Sequence, residues 1–146
     1  MKPLLIAFTF LTVLFSQPSF ATEKNVTPTV LKSFEKTFTT AKAVEWVVSQ
    51  NLYKARFELN GQVVCAYYNN EGALMAVTRN ITAHQLPFVL QTNLMKGHEN
   101  HWITELFELS NEGGTTYYAV LETADSKVML QSVGKTWSPY QKARKD

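Results

Sequence analysis

The chain has 146 residues, with 14 Lys and Arg against 12 Asp and Glu, 45% hydrophobic and 18% charged positions, five Pro, six Gly and one Cys. That balance excludes a disordered tail, a collagen, a coiled coil and a disulfide scaffold, and it gives no basic footprint for nucleic acid. The length suits one hydrophobic core, able to bury roughly two-thirds of the unfolded surface without covalent staples.

Residues 1–21 read as a signal peptide: Lys2, an apolar run from Pro3 to Phe15, then small residues at Ser19 and Ala21 for cleavage before Thr22. An uncleaved anchor fits less well, because the apolar run falls short of the about 18 to 20 residues that span a bilayer. The expected address is the periplasm or the outside of the cell, with no stable membrane insertion after cleavage. Cys65 is alone, so no internal disulfide is available and packed apolar surface must supply the stability. The triplets Asn25-Val26-Thr27 and Asn80-Ile81-Thr82 match a glycosylation pattern that is common by chance.

The mature chain, 22–146, is expected to form one domain. Thr27 before Pro28 predicts a helix start, with Val30, Leu31, Phe34 and Phe38 on one face and Val26 and Leu31 at staple spacing. Strand patterns follow at 43–48, 53–59, 62–68 and 73–78, separated by turn residues. Asn60-Gly61 predicts a two-residue type I′ turn, since both residues tolerate positive φ. That turn pairs Leu59 with Gln62, Phe57 with Val64, Ala55 with Ala66 and Tyr53 with Tyr68 on an apolar side that should meet a helix. Arg56 with Cys65 and Lys54 with Tyr67 fall on the other side.

Further along, Thr82 and Gln85 have capping-box spacing, and Pro87 splits the pattern into a short turn and a second helix bearing Leu86, Val89, Leu90 and Leu94 on one face. Strands are predicted at 102–109, 115–123 and 127–133, then a polar tail over 135–146. Val30-Leu31 corresponds to Val89-Leu90, and Tyr53, Ala55 and Glu58 correspond to Tyr117, Ala119 and Glu122, the offset growing by the extra turn Ser110–Gly114. The pattern reads as two copies of a helix plus an antiparallel meander, about 26–80 and 81–134, in an α+β layout.

These residues resemble the secreted PepSY-like domains described as similar to β-lactamase-inhibitor protein. The resemblance is carried by the leader, the helix ending Phe34 to Phe38, Ala41 to Trp46, Tyr53 to Gly61, the strand ending at Tyr68, Glu71-Gly72, Leu86-Pro87 and Tyr117 to Glu122. It implies a curved antiparallel sheet with helices packed on one face, an extracytoplasmic location and a noncatalytic role in binding or inhibiting proteins.

The chain lacks Gly-x-Ser-x-Gly, Gly-x-Gly-x-x-Gly and the phosphate-loop lysine motif. Cys65 lies mid-strand with only cross-strand Arg56 to favour a thiolate, and Glu45, Glu58 and Glu122 share strand faces with cations, so neither suggests a nucleophile or an acid/base pair. No enzyme and no cofactor are expected. Alternation in the hairpins puts Val63, Cys65, Tyr67, Tyr118, Val120 and Met129 on the face away from the helices. With Lys54 and Arg56 at its border, that face has the composition of a site for a protein or peptide partner. The competing expectation is that Trp137 and Tyr140 of the tail cover it. A runner-up role is ligand or metal binding at His98, Glu99 and His101, whose imidazoles and carboxylate are the donor types zinc or copper takes. The tail cations Lys135, Lys142, Arg144 and Lys145 read as a solubilising end.

Overall fold

The computed structural model describes residues 25–145; the leader expected at 1–21 lies outside the described residues. Helix α1 spans Pro28–Thr37 and α2 spans Phe88–Asn93; the strands are β1 (Lys42–Ser49), β2 (Leu52–Leu59), β3 (Gln62–Asn69), β4 (Leu74–Asn80), β5 (Trp102–Asn111), β6 (Gly114–Glu122), β7 (Ser126–Val133) and β8 (Thr136–Arg144). The eight strands follow chain order in one antiparallel sheet, an α+β fold in which β1 and β8 are the edge strands. Backbone contacts divide the chain into two compact units, the first running to Val77 and including Asn111–Gly113, the second comprising Thr78–Ser110 and the residues from Gly114 onward.

In the first unit, α1 begins where the sequence places it. The Thr27 hydroxyl accepts the Val30 N–H at 3.4 Å, and Pro28 supplies a first turn that needs no donor. Val30 and Phe34 are buried, and Phe34 is the hub of the core: its ring lies 5.2 Å from Trp46, 5.0 Å from Phe57 and 6.5 Å from Tyr68, each pair edge to face. Such pairs add about 0.5–1.5 kcal/mol each beyond their buried area. The sheet side of this core is the predicted apolar register, with Tyr53 opposite Tyr68, Ala55 opposite Ala66 and Phe57 opposite Val64. Asn60 and Gly61 close the hairpin with φ of 52° and 78°, the two positive values a type I′ turn requires.

The second unit is built around the expected division at Pro87. Thr82 and Gln85 form a reciprocal capping box over a 3₁₀ turn, Ala83–Gln85, and α2 starts immediately after Pro87. Leu86, Leu90 and Leu94, four residues apart, are buried. Val89, expected on the same face, is instead exposed, because α2 is under two turns long and only the i, i+4 row meets the sheet. Ile81, Leu86 and Leu94 pack with Leu106, Ala119, Leu121, Val128 and Leu130. The β6–β7 hairpin has the two-residue turn at Ala124-Asp125, closed by Thr123 and Ser126, which pairs Val120 with Met129 and Glu122 with Lys127.

The segment expected as a polar tail carries β8. A register shift between Met129 and Leu130 leaves Tyr140 as the extra residue between Pro139, opposite Leu130, and Gln141, opposite Met129. The bulge lets two aromatic residues of one strand serve both faces: Trp137 packs with the helix-side core, whereas Tyr140 meets Tyr118 on the other side.

Candidate binding site

The face of the first unit away from α1 is built by three strands in register. Glu45 and Val47 of β1 stand opposite Arg56 and Lys54 of β2, which in turn stand opposite Cys65 and Tyr67 of β3; Val63 faces Glu58. Val63 remains 36% exposed, Arg56 is exposed, and Lys54 and Cys65 are half-buried. Arg56 Nη1 lies 3.5 Å from Glu45 Oε2, with both side chains about half accessible. Tyr67 differs. It is only 1% exposed, and the Lys54 ammonium lies over its ring, 5.9 Å from the centroid.

In the second unit the corresponding face is interior. Tyr118 is 4% exposed, Val120 0% and Met129 2%. Phe107 stacks on Tyr118 at 5.2 Å, the rings 14° from parallel, and Tyr140 meets the Tyr118 ring edge-on at 5.7 Å. Burial pushes the Tyr118 phenol up to about 12, with Tyr140 adding to the shift. At the end of this face Glu122 accepts Lys145 Nζ at 2.7 Å and lies 3.4 Å from Lys127 Nζ; the bonded Lys145 holds its carboxyl below the usual carboxylate range. Lys145 Nζ also lies 5.4 Å from the Trp102 ring centroid.

The expected exposure of Tyr67, Tyr118, Val120 and Met129 is therefore corrected: all four are interior. For Tyr118 the cause is visible in its neighbours, Phe107 from β5 and Tyr140 from the β8 bulge. Covering by Tyr140 is as the competing expectation has it, but Trp137 turns to the helix side, where its Nε1 donates to the Leu90 carbonyl at 2.9 Å. Val63, Lys54, Arg56 and the half-buried Cys65 are the residues of the expected face that solvent reaches.

The histidine loop follows α2. The His98 and His101 rings meet edge to face with centroids 4.9 Å apart, and both Nδ1 atoms are buried without a hydrogen-bond partner. Glu99, the third expected ligand, accepts the Gly97 N–H at 3.1 Å, which fastens the turn. Among the described residues no group of three His, Cys, Asp or Glu side chains converges as a metal ion requires. Burial lowers the His98 pKa, helped by neighbouring His101 and Lys142 and opposed by Glu99. The sequence reading missed that Ser126, Lys142 and Arg144 line a cleft of about 430 Å³ with these histidines. The available signal was the i, i+2 spacing of Lys142 and Arg144 in a segment that also carries Trp137 and Tyr140.

No known family profile matches the sequence, and no curated protein does. Solved structures do. A BLIP-like protein from Bacteroides fragilis NCTC 9343 is 16% identical with a TM-score of 0.65, over 84% of this chain and 90% of that one. A DUF2874 family protein from Bacteroides uniformis ATCC 8492 is 13% identical with a TM-score of 0.71, over 82% and 89%. A protein provisionally described as periplasmic, from Bacteroides eggerthii DSM 20697, is 11% identical with a TM-score of 0.73, over 82% and 88%. At such identities the likeness establishes a BLIP-like fold and agrees with that part of the resemblance drawn from the sequence. Among the described residues no helix is long and apolar enough to cross a membrane.

Proposed function

We propose that the chain is an exported, noncatalytic binding module that occludes a protein or peptide partner through the β1–β3 face of its first unit, with Val63, Lys54 and Arg56 as the contacts. Its leader is residues 1–21, and its place of action is the periplasm or the cell exterior. The observation that carries this reading is an accessible apolar-and-charged surface, Val63, Arg56 and Lys54 around the buried Tyr67, on a three-stranded scaffold whose aromatic core cluster packs on the opposite, α1 side. An exposed ion pair such as Arg56–Glu45 contributes only about 0–1 kcal/mol to stability, so either member can exchange its partner for a charge on a bound surface. Lys54 is steadied over Tyr67, which lowers the ordering cost of using it.

The BLIP-like and periplasmic descriptions of the structural neighbours support a binding role outside the cytoplasm. A helix followed by strands in each unit supports the further reading of two PepSY-like copies. Tyr67, Tyr118, Val120 and Met129 drop out as contacts, since they are interior.

The experiment is capture from the native envelope fraction with the exported chain and with Val63→Asp and Arg56→Glu as bait. The reading expects a partner retained by the parent chain and lost with both variants while their melting temperatures hold. Equal capture by the variants removes this face as the site.

A further inference from the structure

The cleft beside the histidine loop has a chemical character of its own. Its cationic walls are Lys127, Lys142 and Arg144, its remaining polar groups include His98, His101 and Ser126, and no carboxylate of the described residues lines it. Lys127 is engaged by Glu122. Lys142 and Arg144 are exposed, and neither makes a salt bridge with another of the described residues. Glu99, the nearest acidic residue of the loop, is turned onto the Gly97 N–H. Positive charge is thus concentrated in a concave site where, among the described residues, Lys142 and Arg144 have no carboxylate in ion-pair contact.

Position in the fold narrows the ligand. Lys142 stands opposite Val128 and Arg144 opposite Ser126, so the two cations lie two residues apart on one face of β8. Among the described residues no strand pairs with the outer edge of β8, which closes the sheet order. An extended peptide added to that edge has the same two-residue repeat, and carboxylates at alternate positions would fall beside Lys142 and Arg144. Pro139 blocks ladder pairing at its own position only, leaving Gln141 to Arg144 as the pairing stretch. His98 and His101 border the cleft, and their Nδ1 atoms are buried without a hydrogen-bond partner among the described residues.

We propose that this cleft is a second binding site, which takes an acidic peptide in extended conformation as an added strand on β8, its alternate carboxylates held by Lys142 and Arg144 next to the His98–His101 pair. The site is separate from the β1–β3 face, and each can fail without the other.

The test uses protein purified from an exporting cell, titrated with a synthetic peptide of alternating Thr and Glu, its Thr/Gln counterpart, a version methylated on the backbone nitrogens, pyrophosphate, and vesicles of anionic lipid. The proposal expects the Thr/Glu peptide alone to bind, with amide and imidazole resonance shifts at His98, His101, Lys142 and Arg144 and affinity falling with salt. Lys142→Gln with Arg144→Gln should weaken it about tenfold or more, the scale of losing charge-assisted contacts, while Lys135→Gln leaves it unchanged. Binding of pyrophosphate or vesicles in place of the peptide overturns the proposal, as does equal binding of the methylated peptide or an unaltered affinity in the double variant.

Discussion

Trp137 Nε1 donates to the main-chain carbonyl of Leu90 at 2.9 Å, tying edge strand β8 to helix α2. This bond satisfies a carbonyl near the end of a helix too short to be stable alone, and the indole packs on the Leu130 side of the sheet. Trp137→Phe keeps most of the packing and removes the donor, so a loss of about 1 kcal/mol is expected in urea unfolding. Trp137→Ala removes both, and about 3 kcal/mol is expected. Equal stability of all three proteins would show that the bond contributes nothing.

Tyr118 is a core residue, and its truncation should behave accordingly. Tyr118→Ala removes a ring stacked on Phe107 and touched edge-on by Tyr140, with an expected cost of about 3–5 kcal/mol in chemical denaturation. Val63→Ala, at a position 36% exposed, should change stability by no more than about 0.5 kcal/mol. A reversal of that order contradicts the burial described above.

The buried phenols give an alkaline signature. Tyr68 and Tyr118 are each raised from 10.0 to about 12 by burial. Between those values the unfolded chain has released protons that the folded chain retains, so unfolding stability falls as pH rises. The contribution is complete below pH 10 and is lost through about pH 12. Denaturant midpoints across this range should decline, and Tyr118→Phe should decline less steeply. A flat profile counts against burial of both phenols.

Two glycines with nearly the same backbone should respond differently to substitution. Gly61 and Gly72 have φ of +78° and +77°; a Cβ on Gly61 meets nothing within 4 Å, whereas on Gly72 it meets Thr29 Cγ2 at 3.0 Å and the Thr29 carbonyl oxygen at 3.1 Å. Gly61→Ala should cost about 1 kcal/mol through the left-handed backbone alone. Gly72→Ala should cost clearly more, because the turn must also move away from the start of α1. Matched thermal melts of the two variants would decide it.

Local chemistry explains how much of this fold was legible. Thr27-Pro28 sets the start of α1, the Thr82/Gln85 box and Pro87 divide the second helical segment, and Asn60-Gly61 fixes its hairpin register to the residue. Each acts through backbone angles and hydrogen bonds among near neighbours, which the sequence carries in full. The last strand was harder to see, because its pattern is broken by Pro139 and by the Tyr140 bulge.

Alternation along the hairpins likewise dictates that Tyr67, Tyr118, Val120 and Met129 lie on the side away from the helices, and the register bears this out. What covers that side is beyond any single strand's pattern. A bulge in β8 and a ring from β5 place Tyr140 and Phe107 against Tyr118, and the same tertiary arrangement brings Lys142 and Arg144 next to histidines more than forty positions earlier in the chain. Sidedness is a local consequence of the pleat, whereas exposure depends on which distant segment comes to lie above it, and only the assembled fold decides that.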